Sequence, residues 1–158
     1  MKRLLILLAI IILATLQLNW PACLVFFHCK PDLLLIFALA LVFYLDFKYA
    51  LLCAALTGLV KDVFLPATLG FNMVLFCLWV YLVDRLNRQI SAEEVYVRWA
   101  VVLLTAFLHN LILGLASLAG GNIISPVIFL RNLLIISVYT TLISPAVFKL
   151  AKKISSTF

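Results

Sequence analysis

The sequence predicts an all-α fold: a polytopic transmembrane helical bundle of six spans, forming one integral membrane domain over residues 1–158. Three observations carry that reading. Hydrophobic residues make up 67% of the chain and charged residues 11%, with a mean hydropathy of +1.27, whereas a soluble globule carries charge on about a quarter of its residues. Six apolar segments alternate with short polar or proline- and glycine-bearing breaks, and six crossings of about 20 residues would occupy about 120 of the chain. The basic residues also divide unevenly between the two ends such a bundle would have. Soluble enzymes, nucleic-acid readers, coiled coils and disordered tails are excluded as the main class.

The first span covers about 4–19, behind Lys2 and Arg3. A charged start followed by an apolar run also describes a secretory signal. Trp20 and Pro21 stand where processing needs small or aliphatic residues, so the span is expected to stay attached. Trp20, Pro21, His28, Lys30, Pro31 and Asp32 mark the first break. The second span, 33–45, turns through Asp46, Phe47 and Lys48 into the third, 49–60, which Lys61 and Asp62 end. Both are shorter than the hydrocarbon thickness and are read as short spans that thin the bilayer rather than as a re-entrant hairpin.

The fourth span is 71–88, after Pro66 and Gly70. Ser91 and Glu94 have capping-box spacing, each side chain positioned to satisfy a free backbone N–H of the other. They announce the fifth span, 92–118, with Glu94 and Arg98 one turn apart and Trp99 at the membrane interface. Ala119, Gly120, Gly121 and Asn122 break it. The sixth span, 126–150, starts on Pro126, which a first helical turn accepts, and ends among Lys149, Lys152 and Lys153.

With six spans, one side holds Lys2, Arg3, Lys48, Arg85, Arg88, Arg98, Lys149, Lys152 and Lys153, against Lys30, Lys61 and Arg131 on the other. Basic loops stay on the cytoplasmic side, so both termini are expected in the cytoplasm. No basic run is dense enough to follow a nucleic-acid backbone.

Catalysis needs convergent titratable groups, and the carboxylates Asp32, Asp46, Asp62, Asp84, Glu93 and Glu94 all lie at expected helix ends or turns. Cys23, His28 and Cys29 would give an incomplete metal site, with no fourth ligand evident. Neither a metal nor a cofactor is expected, and the chain is read as no enzyme. Polar groups at membrane depth default to functional hypotheses. His109 and Asn110 fall inside the fifth span. They suit a proton relay or ligand contact, but an interhelical hydrogen bond or a water-facing position is the plainer use. Arg131 lies a turn into the sixth helix, placed to snorkel or to meet Asp62. Ser137, Tyr139, Thr140, Thr141 and Ser144 give that helix a small polar face for packing. Between the third and fourth spans, Gly58 would allow close helix approach. Asp62 would be favoured against a helix N-terminus or Arg131, or would simply pair with Lys61 in a solvated turn.

Pro31-Asp32-Leu33-Leu34-Leu35, Gly58-x-x-x-Asp62, Leu69-Gly70-x-Asn72 and Trp79-x-Tyr81-Leu82 together resemble the rod shape-determining protein MreD family. The likeness covers essentially the whole chain and is specific in its middle. Val63-Phe64-Leu65-Pro66 departs from the small-residue turn of many members and alters the expected outer loop. The resemblance implies a non-enzymatic scaffold or regulator of bacterial cell-wall elongation. It implies direct association with MreC, and through it with MreB filaments and the RodA–transpeptidase pair. Gly58, Asp62, Gly70 and Asn72 are the residues it implicates in shaping the partner surface. The family is also similar in fold to the substrate-binding components of energy-coupling-factor transporters. That supplies a rival, a vitamin-type transport subunit using His109, Asn110, Asn72 and Trp79. An enzyme acting on a lipid-linked substrate ranks last, because no carboxylate pair or basic pyrophosphate clamp is present.

Overall fold

The computed structural model describes residues 2–20, 29–64, 70–89, 95–121 and 125–156. They form six helices: α1 (Lys2–Leu18), α2 (Leu33–Val42), α3 (Phe47–Phe64), α4 (Phe71–Gln89), α5 (Val95–Ala119) and α6 (Pro126–Ser156). The capping box at Ser91 and Glu94, and the Cys23, His28 and Cys29 group apart from Cys29, lie outside the described residues.

The bundle is built around α2. All ten of its residues are buried, and it packs against each of the other five helices. The composition explains this: a helix apolar on every side has no face to give to water. At 1.5 Å per residue it is only about 15 Å long, roughly half the hydrocarbon thickness. The expected run to Leu45 stops at Val42, and Phe43, Tyr44 and Leu45 close a turn whose N–H groups bond back to Ala40 and Leu41. Arg98 donates to Tyr44 Oη at 3.3 Å and lies over the Phe43 ring, while Ser155 Oγ donates to Tyr44 O at 3.1 Å. The turn below α2 is therefore tied to α5 and α6.

Among the described residues, α5 and α6 are the helices both long and apolar enough to cross a membrane by themselves. α6 continues through Pro145, which cannot donate to the Thr141 carbonyl. The Ser144 hydroxyl donates to that oxygen instead, at 2.7 Å, so this carbonyl is not left bare in an apolar setting. Ser137, Thr140 and Ser144 are buried, in keeping with the packing face expected of them. Toward the Ala119 and Pro126 ends, α5 and α6 carry exposed apolar side chains: Leu115, Leu118, Val127, Ile128 and Leu130. α3 runs past its apolar segment to Phe64, with Lys61 and Asp62 inside the helix and both buried.

Candidate functional site

Lys61 and Asp62 are neighbours in sequence but point to different partners, and each organises a separate polar site. Lys61 pairs with the carboxylate of Asp32, the N-cap of α2. Both side chains are less than 10% exposed. Asp32 Oδ1 also accepts from the Leu35 N–H at 3.2 Å, capping α2, and from Gln17 Nε2 at 3.5 Å. The Asp32 backbone N–H donates to Thr140 Oγ1 at 3.2 Å. The second contact of Lys61 is His109, with Nζ 3.1 Å from Nε2, and the Phe76 ring lies 5.2 Å from the ammonium. His109 Nε2 is 3.7 Å from Asp32 Oδ2.

Trp79 Nε1 donates to the other imidazole nitrogen, Nδ1, at 3.4 Å. A neutral imidazole accepts on one nitrogen and donates from the other. The indole and the ammonium therefore compete to set its tautomer. Side chains from α3, α4 and α5 meet here at the cap of α2, and His109 and Thr140 sit near the middle of α5 and α6. From Thr140 each end of α6 is roughly 20–25 Å away. An ion pair at that depth needs partners for its remaining donors and acceptors, and Leu35, Gln17 and His109 meet part of that need.

The second site joins α3 to α4. Asp62 is fully buried. Its Oδ1 accepts from the Asn72 backbone N–H at 3.1 Å and from Asn72 Nδ2 at 2.8 Å, and its Oδ2 accepts from the Met73 N–H at 3.0 Å. The carboxylate thus caps the first turn of α4, where orphan N–H groups and the helix dipole favour negative charge. One turn earlier on the same face of α3 lies Gly58. A Cβ there would stand 2.5 Å from Met73 Cα and 2.9 Å from Asn72 O, so only glycine lets the α4 backbone come close enough to be capped. Gly70, with φ of +82°, makes the turn into α4 in a region that favours glycine. Gly58-x-x-x-Asp62 and Gly70-x-Asn72 are two halves of one clasp.

Several expectations are corrected by this geometry. Lys61 and Asp62 do not form a solvated pair in a turn; both are interior and face different helices. Arg131 does not meet Asp62: it is exposed and donates to Asn132 Oδ1 at 3.5 Å. The position of Asp32 and Asp62 at helix ends does not make their charge solvent-borne. His109 makes the interhelical contacts expected of a packing residue. Asn110 donates back to Ala106 O of its own helix at 2.8 Å. Gly58, Asp62 and Asn72 lie inside the α3–α4 junction and are buried rather than surface residues. The Asp32–Lys61–His109 constellation was not anticipated. A signal existed, because a helix as uniformly apolar as α2 buries its ends too, and a charge at its cap then requires a buried partner.

A model of the family described as rod shape-determining protein MreD matches residues 1–154. The chain belongs to the MreD family. Membership gives it a role in determining cell shape, and a membrane family accords with the two long apolar helices, α5 and α6. No curated protein and no solved structure matches the chain. The clasp residues fall in the middle of the MreD match.

Proposed function

We propose that this MreD-family chain is a non-enzymatic scaffold of the bacterial cell-wall elongation complex, held in the inner membrane as a six-helix multi-pass bundle with both termini in the cytoplasm. It associates directly with MreC, and through MreC with MreB filaments and the RodA–transpeptidase pair. The observation that carries this reading is the family match over residues 1–154. The use of polar groups supports it: the buried charges Asp32, Lys61 and Asp62 are spent on holding helices together. The exposed apolar side chains of α5 and α6 suit a partner's transmembrane helix as well as lipid. Orientation is supported by the burial of Lys61, which removes it from the surface tally and leaves Lys30 and Arg131 opposite nine basic residues. In this mechanism Gly58, Asp62, Gly70 and Asn72 fix the α3–α4 corner, and the outer loops support the extracytoplasmic part of MreC.

Co-purification from detergent tests the reading. Recovery of MreC with the tagged chain is expected, with Asp62→Ala losing more MreC than Asp46→Ala, an exposed turn position. Retention of MreC by both variants at the level of the unsubstituted chain would remove the clasp from partner binding. A substrate-binding transport subunit is the second reading. It would use His109, Asn110, Asn72 and Trp79, but the cavity beside Asp32 reaches Asn110 and none of the other three; recovery of an ATPase pair with a bound vitamin would select it.

A further inference from the structure

The cavity beside the ion pair has a chemistry that the scaffold reading does not require. Its volume is about 310 Å³, and it lies among the Leu18 end of α1, the cap of α2, the Phe64 end of α3, and α5 and α6. Exposed Leu18 and Lys30 mark its mouth, and buried Asp32 and Lys61 its floor. Ala14, Leu34, Leu113 and Ile136 supply apolar wall. An apolar hollow of this size with a few convergent polar groups is the form small-molecule sites take.

Donor and acceptor accounting decides the class of occupant. Asp32 already accepts from Leu35, Gln17 and Lys61. Gln17 Oε1 is engaged by the Leu34 N–H at 3.2 Å, and the amide nitrogen of Asn110 is taken by Ala106 O. Among the described residues the donors are in surplus. An ammonium has three N–H groups. Lys61 directs one at Asp32 and lies 3.1 Å from His109 Nε2, and Lys30 directs one at Leu18 O at 3.3 Å. Two lysines against one aspartate leave the cavity one positive charge in excess.

We propose that this cavity binds an amphipathic monoanion, its carboxylate or phosphate between Lys30 and Lys61 and its apolar body against Leu34, Leu113 and Ile136. The site is independent of MreC association. A ligand seated there touches α1, α2, α3, α5 and α6 at once and would fix their relative packing. A lipid of the outer leaflet and a free organic anion share this chemistry.

Equilibrium binding of radiolabelled octanoate to the full-length chain in phosphatidylcholine nanodiscs, with empty nanodiscs subtracted, tests the proposal. Saturable binding at one per chain is expected. Octyl phosphate should compete, and octylamine and octanol should not. Inorganic phosphate competing as well as octyl phosphate identifies the occupant as a free anion; octyl phosphate competing alone identifies a lipid-like one. Lys30→Gln, at an exposed position, and Leu113→Trp, which fills the cavity, should each weaken binding at least fivefold. Competition by octylamine equal to that of octyl phosphate, binding unchanged in both variants, or no saturable binding overturns the site.

Discussion

The buried aspartates Asp32 and Asp62 solve the same problem in opposite ways. Asp32 caps its own helix and is neutralised by a cation from another, Lys61. Asp62 shows no ion pair among the described residues and is held by three N–H donors at the first turn of a different helix. One arrangement matches charge with charge; the other matches charge with the partial charges of a helix end. The first fails badly when one member is lost, since the survivor is a bare ion in an apolar interior. The second loses hydrogen bonds and little more. Adjacent positions on α3, Lys61 and Asp62, thus carry different penalties.

The largest expected effect breaks the ion pair. Lys61→Met leaves Asp32 buried without its cation and should cost about 3–5 kcal/mol, read as a large fall in melting temperature in detergent. The double variant Lys61→Met/Asp32→Asn should recover most of that loss; no recovery would show that Lys61 acts through something other than the carboxylate. Next comes the close approach. Gly58→Ala forces a methyl against the Met73 backbone, which cannot rotate aside, at about 1–3 kcal/mol. Its loss should appear in the same melting assay and should be less than that of Lys61→Met.

Asp62→Ala removes a cap and should cost about 0.5–2 kcal/mol, with Asp62→Asn falling between it and the unsubstituted chain. If Asp62→Ala proves as damaging as Lys61→Met, the contrast between the two aspartates collapses. The smallest effect is Arg131→Gln. An exposed guanidinium bonded, among the described residues, to its neighbour Asn132 alone should leave the melting temperature unchanged, and a clear fall would restore the discarded pairing with Asp62.

Much of the fold was legible. The breaks at Gly70, Gly120 and Pro126 each fall at a helix end, because glycine and proline act through local backbone geometry that needs no tertiary partner. The close approach at Gly58 was legible for the same reason. The ends of α2 and α3 were not. Hydropathy stops α3 at Val60, yet the helix runs to Phe64 with two charges inside it. A charge is read as a boundary unless its neutralising partner is known, and Asp32 lies far away in sequence. The clasp was half legible: glycine and aspartate four apart share a helix face, but the α4 N-terminus could be assigned to Asp62 only once the α3–α4 packing was seen.

Composition and the lengths of the apolar runs determined that this chain is apolar and helical and that its surface belongs largely in lipid, because 11% charged residues cannot cover a water-facing globule. The sequence also placed the segment between α3 and α4 at the heart of the family's pattern. Only the tertiary structure decided that α2 is a sheathed axis about half a bilayer long, that Lys61 belongs to Asp32 and His109, and that Asp62 belongs to α4. The reason is physical. Hydrophobicity and turn chemistry are summed along the chain, whereas the cost of a buried charge depends on which distant group stands beside it.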